Sequence, residues 1–243
     1  MSNYAELPIG KIVADNLAAA EVFEQYGLDF CCHGHFTLQE SCQKHDLDLP
    51  TLIKQLQELP QSGTTEHAPD YGTWPLDKLC RHIVETHHAF TKDILPKSSR
   101  HFDMVLRAHG ATHPELEGLH KQFKTLRQEL EAHLQKEELV LFPFIEAMQQ
   151  ARRQNLRRPE SCFTVLSQPL DQMIDEHEEA GAILDSMHAK TEGFKAPADA
   201  CNTYRLLFKE LSDLEKDLHR HIALENHMLF PKATDMEKSM PRN

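Results

Sequence analysis

Two stretches of this 243-residue chain carry the same pattern of metal-capable side chains. Residues 133–143 read HLQKEELVLFP and residues 221–231 read HIALENHMLFP, sharing H-x-x-x-E-x-x-x-L-F-P at an offset of 88 residues. Side chains at i and i+4 lie one turn apart on one helix face, so His133 with Glu137, and His221 with Glu225, can address a common point. The pattern extends upstream, since His88 precedes His133 by 45 residues and His177 precedes His221 by 44. Four imidazoles and two carboxylates suit two first-row metal ions, with each carboxylate bridging both. This donor set fits iron or manganese better than structural zinc, which favours thiolates or a closed tetrahedron. One histidine among 17 is more often a core or surface residue than a ligand. The duplicated motif, with two upstream histidines at near-equal spacing, argues for the six residues as a set.

To converge, these residues must ride on long helices. Only 9 glycines, with abundant Leu, Glu, Gln and Lys, favour an all-α chain. Helical periodicity is expected near 75–95, 114–151, 167–190 and 199–234, which reads as an antiparallel four-helix bundle. Breaks are expected at Pro96 with Ser98 and Ser99, at 157–159 and at 193–197, with a short extra helix within 97–113. Leu141, Phe142, Leu229 and Phe230 belong in the core, and Pro143 and Pro231 should end or kink their helices. His82, His120, His219 and His227 fall outside the repeat and read as structural.

The first 60 residues read as a small helical domain. Ile12, Val13, Leu17, Ala20 and Phe23 recur at helical spacing, with Gly27 as the stop. Thr37 and Glu40 fit a capping box, and Asp48 with Pro50 opens a further helix carrying Leu52, Ile53, Leu56 and Leu59. Residues 61–73, rich in Gly, Ser, Thr and Pro, read as a linker, and 74–238 as the bundle. Three short helices make a marginal core, so pairing of two chains through this domain is an expectation from size alone.

Composition narrows the function classes. Lys+Arg 26 against Asp+Glu 38 gives a formal charge of −12, which argues against a nucleic-acid binder. The longest strongly apolar run, 139–145, falls far short of the roughly 18 residues of a membrane span. The first residues lack a basic patch followed by an apolar core, so no signal peptide is read and a cytoplasmic location is expected. The 6 cysteines then default to free thiols rather than a disulfide framework.

With the ligand pattern in place, residues 75–235 resemble the hemerythrin-like family of di-iron proteins. Oxygen-carrying members place a fifth histidine one turn after that of the third helix, where this chain has Gly181. The resemblance therefore implies a more open, carboxylate-bridged, non-haem centre of two iron ions and speaks against reversible oxygen carriage. Residues 26–35 (Tyr-Gly-Leu-Asp-Phe-Cys-Cys-His-Gly-His) resemble the Cys-Cys domain that precedes the bundle in the repair-of-iron-centres family, although that family's pair is usually followed by two glycines. Residues 175–181 resemble the family's third-helix motif. Membership implies repair of iron–sulfur clusters damaged by nitrosative or oxidative stress, by supplying iron or removing nitrosyl groups. Damaged iron–sulfur proteins would be its partners, and nitric oxide or oxygen species its small ligands. Two other functions fit the same pattern: nitric oxide reduction at the di-iron site, and oxygen or redox sensing through the N-terminal domain.

Further roles attach to three residues. Cys31 and Cys32 are candidates for redox or nitrosyl handling, and the nearby imidazoles of His33 and His35 are expected to lower the thiol pKa. Glu176, beside His177, is a candidate acid–base group or labile ligand, and the family resemblance points there too. Cys42, Cys80, Cys162 and Cys201 show no ligand spacing and read as packing residues.

Overall fold

A computed structural model describes residues 4–60 and 69–241. The chain divides into two compact units: Met1–Cys80 with Ile145–Cys162 and His219–Asn243, and Arg81–Phe144 with Phe163–Leu218. No strand forms among the described residues, and one isolated β-bridge pairs Pro8 with Thr37. Of the expected linker, residues 61–68 lie outside the described residues, and Tyr71–Thr73 forms a 3-10 turn.

In the first unit the N-terminal residues form α1 (Ile9–Asp15), α2 (Ala19–Gln25), α3 (Leu38–Lys44) and α4 (Leu49–Glu58). The single helix expected across Ile12 to Phe23 is instead broken at Asn16. Its side chain accepts from the Ala18 N–H at 3.2 Å and donates to the Pro60 carbonyl at 2.9 Å, a local alternative to continuing the helix. Gly27 ends α2 in the left-handed region at φ +64°, where a residue without Cβ is unstrained. Thr37 and Glu40 form the expected capping box, and Asp48 caps α4 by accepting from the Thr51 N–H. The core of these helices includes Phe23, Phe30, Leu38, Leu52 and Leu56, and also Ile222 and Ala223 from near the C-terminus. Those two residues enlarge the core that short helices lack by themselves.

The second unit is built on α6 (Ala89–His109), α7 (Glu115–Lys136), α9 (Ser167–Lys190) and α10 (Asn202–Leu224, of which 219–224 fall in the first unit). All four supply one core, with Leu95 and Phe102, Phe123 and Leu126, Leu184 and Met187, and Leu207 and Leu211 among its buried residues. Cross-helix bonds fix the directions. Gln122 reaches Ser186 and Lys136 reaches Glu176, so α7 and α9 run antiparallel. His87 reaches Asp217 and Ser98 reaches Glu210, so the chain through α6 runs antiparallel to α10.

The expected break at Pro96 does not occur, and α6 runs through it to His109. A proline inside a helix costs about 3 kcal/mol. Burial of Ile94, Leu95, Phe102 and Val105 outweighs it, at roughly 1.5–3 kcal/mol for each large apolar side chain. Pro143 and Pro231 likewise do not end their helices. Each follows a π-turn, Glu137–Leu141 or Glu225–Leu229, and sits in the first turn of the next segment, α8 (Phe142–Arg153) or α11 (Phe230–Ser239). The backbone stays helical across each junction, so both prolines lie within continuous helix. A third π-turn, Val84–His88, lies between α5 (Leu76–Ile83) and α6.

Candidate metal centre

The three π-turns coincide with ligand candidates: His88 ends the first, Glu137 opens the second and Glu225 opens the third. A π-turn adds a residue to the helical turn and re-aims the side chains at its ends, and such turns concentrate at functional sites.

Within the second unit, Glu137 is fully buried, with His88, His133 and His177 at 0%, 4% and 3% exposure. The two carboxylate oxygens of Glu137 face different helices. Oε2 stands 3.3 Å from His88 Nε2, and Oε1 stands 3.4 Å from His133 Nε2. His177 Nε2 lies 3.1 Å from His133 Nε2. Neither oxygen of Glu137 accepts a hydrogen bond among the described residues. A buried carboxylate without donors is strongly destabilising unless cations neutralise it. Nitrogens and oxygens at this spacing, all turned to one place, fit metal ions. Within the first unit the second motif repeats the pairing, with His221 Nε2 3.0 Å from Glu225 Oε1 and both residues buried.

The outer nitrogens of two imidazoles are held in matching ways. His88 Nδ1 lies 2.7 Å from Glu138 Oε1, and Lys92 donates to the same carboxylate. His133 Nδ1 lies 2.9 Å from Glu176 Oε2, and Lys136 and Gln172 donate to its other oxygen. Burial opposes ionisation of Glu138, but Lys92 and His88 outweigh it and hold its pKa below the usual carboxylate value. Burial likewise opposes ionisation of Glu176, and Lys136, His133 and Gln172 outweigh it. A carboxylate on Nδ1 fixes the tautomer that leaves Nε2 as the ligating atom. Glu176 thus stands behind His133, with both oxygens engaged. Glu138 was not legible as its counterpart, although the doublet of Glu137 and Glu138 in the first motif was a signal.

The remaining histidines have other roles. Buried His87 pairs with Asp217 at 2.9 Å, His82 meets the Thr86 hydroxyl, His120 stacks on Phe102, and His219 meets Phe30 edge-on. His227 is structural, as expected, and its contact is specific. It donates from Nε2 to the Phe30 carbonyl at 2.8 Å, while Asn226 donates to the Cys31 carbonyl at 3.2 Å. Two residues of the Glu225 π-turn therefore clamp the backbone of the Cys31–Cys32 loop. Asn226 and His227 occupy the repeat positions of Glu138 and Leu139, so the two copies of the motif have diverged in what they support.

At the cysteines, Asp29 Oδ1 accepts from the N–H groups of Cys31 and Cys32 and from the Cys31 thiol, and the two sulfurs lie 3.7 Å apart. At Cys31 the expected lowering of the thiol pKa by imidazoles does not occur. His33 is tied to the other oxygen of Asp29, and His35 packs on Phe36. The hydrogen bond with Cys32, burial and the Asp29 carboxylate raise the buried Cys31 thiol well above its ordinary pKa. Cys32 is half-buried.

Residues 79–233 match the family described as Hemerythrin HHE cation binding domain, and residues 5–60 match a domain of unknown function, DUF542. The chain is similar to the iron-sulfur cluster repair protein YtfE of Edwardsiella ictaluri, at 38% identity over 95% of this chain and 97% of that protein. It is also similar to the proteins of that name in Salmonella paratyphi B and Salmonella newport, each at 31% identity with the same coverage.

The His227 clamp yields a discriminating test. The three atoms nearest a Cβ on Gly10 all belong to the His227 ring, whereas one on Gly34 would crowd both that ring and the Phe30 carbonyl. Overpacking of this kind costs about 1–3 kcal/mol. In urea denaturation, Gly10→Ala should be destabilising in the natural background and nearly neutral on top of His227→Ala. Gly34→Ala should stay destabilising in both.

Proposed function

The chain belongs to the hemerythrin HHE cation-binding family and, along 95% of its length, to the iron–sulfur cluster repair proteins; on that premise we propose that it restores iron–sulfur clusters damaged by nitrosative or oxidative stress. The duplicated motif supplies the donors His88, His133, Glu137, His177, His221 and Glu225, which would together hold two iron ions, with Glu137 and Glu225 as the carboxylates that both ions would share. The observation that carries this reading is Glu137, fully buried with an imidazole opposite each oxygen, His88 from the turn before α6 and His133 from its own helix, and no hydrogen-bond donor to either among the described residues. The imidazole-rich donor set with two carboxylates suits iron. When bound, iron supplies coordination positions open to nitric oxide or oxygen species, and a metal that a damaged cluster can take up.

The protein's own groups prepare that chemistry. Glu138 and Glu176 engage the Nδ1 atoms of His88 and His133 and keep the Nε2 atoms turned inward. Burial of all six donors excludes bulk water. Gly181, one turn beyond His177, offers no imidazole, so α9 supplies one ligand. The buried, proton-retaining Cys31 is unsuited to act as a nucleophile, which leaves Cys32 as the more accessible thiol of the pair. Among the described residues no helix is long and apolar enough to cross a membrane. A cytoplasmic location fits this role, and the clients are damaged iron–sulfur proteins.

A direct test follows. A purified [4Fe–4S] hydro-lyase inactivated with nitric oxide should regain activity on incubation with the iron-loaded protein and a reductant. Glu137→Ala should give no recovery above buffer, and recovery equal to wild type would overturn the reading. Glu138→Gln and Glu176→Gln each remove an outer partner without removing a ligand. Each should weaken metal retention against a chelator by about 10–100-fold, the range seen for such partners.

A further inference from the structure

We propose that His109, His113 and Asp199 form a second site, for a divalent first-row transition ion, at the end of the bundle where α6 passes into α7. These three residues each offer one donor atom, and the atoms all lie within 4.8 Å of one another. His109 is the last residue of the 21-residue helix that starts just after His88, so about 30 Å of helix separates this group from the buried ligands. His113 lies just before α7 and Asp199 just before α10.

The arrangement at His113 repeats that of the buried imidazoles. Its Nδ1 lies 2.8 Å from Glu115 Oε1, as Nδ1 of His88 and His133 face Glu138 and Glu176. Its Nε2 then faces the donor cluster, 3.1 and 3.2 Å from the two oxygens of Asp199. A carboxylate on one ring nitrogen orients the other as a ligand. The rings of His109 and His113 stand 6.0 Å apart, and both pack against Tyr204, at 5.4 and 5.8 Å, which restrains them. A protonated His113 bridging Glu115 and Asp199 accounts for two of the polar contacts. It leaves the His109 imidazole without a hydrogen bond among the described residues.

Two imidazoles and one carboxylate select zinc, nickel, cobalt or ferrous ions over calcium and magnesium, which take oxygen ligands. Asp199 is 64% exposed, so a bound ion keeps coordination positions open to solvent. The inference does not depend on the buried residues binding iron.

The test uses the full-length, iron-loaded protein equilibrated with Zn(II) in the presence of a weak competing chelator. One Zn(II) per chain should be retained with iron content unchanged, and zinc-edge X-ray absorption should show two imidazoles and no sulfur. His113→Ala and Asp199→Asn should each weaken zinc binding at least tenfold. The exposed position of Asp199 makes the second variant safe for folding. Absence of retained zinc, equal binding in both variants, or a sulfur shell indicating Cys31 and Cys32 would each overturn the proposal. Iron is counted at its own absorption edge, so failure here is distinguishable from failure of the buried centre.

Discussion

The structure turns on one expensive group, the Glu137 carboxylate. It is removed from water, receives no hydrogen bond among the described residues, and has an imidazole nitrogen opposite each oxygen. In an apolar interior an ionised carboxylate in that position opposes folding unless positive charge joins it. Much of the surrounding architecture serves this arrangement. The π-turn at 137–141 aims Glu137 inward, and Leu141 and Phe142 seal the interior behind it. Glu138 and Glu176 hold the imidazoles by their far nitrogens, and Lys92 and Lys136 balance the charge of those outer carboxylates.

Duplication explains how one chain supplies two such motifs, and divergence explains why they are not equivalent. In the first copy the residue after the glutamate, Glu138, supports His88. In the second copy the same position is Asn226, and together with His227 it holds the Cys31–Cys32 loop by its carbonyls. The N-terminal helices therefore rest on the turn that carries Glu225. Gly10 and Gly34 are the cost of that contact, since the His227 ring fills the space that a side chain on either would occupy.

The parts of the molecule governed by local chemistry were legible in the sequence. Thr37 with Glu40, Asp48 with Pro50, and the periodic run at 167–190 each announce a helix that the structure contains. The six candidate ligands were legible through repetition, because two copies of one motif constrain each other. Features set by tertiary context were not. Pro96 reads as a breaker because the burial that overrides it involves distant helices. The π-turns are invisible because one extra residue per turn barely disturbs the apolar pattern, and the helix continues through Pro143 and Pro231. His33 and His35 stand beside the cysteines in sequence, yet Asp29 takes the position next to the Cys31 sulfur and reverses the expected effect on the thiol.

The central claim is that two carboxylates are shared between two iron ions, and metal content tests it most directly. Protein purified anaerobically should carry two irons per chain, with Mössbauer spectra showing an exchange-coupled pair, and both irons should be lost in Glu137→Ala and in Glu225→Ala. A single zinc per chain, retained in both variants, would contradict the shared-carboxylate account and return the buried histidines to a structural role.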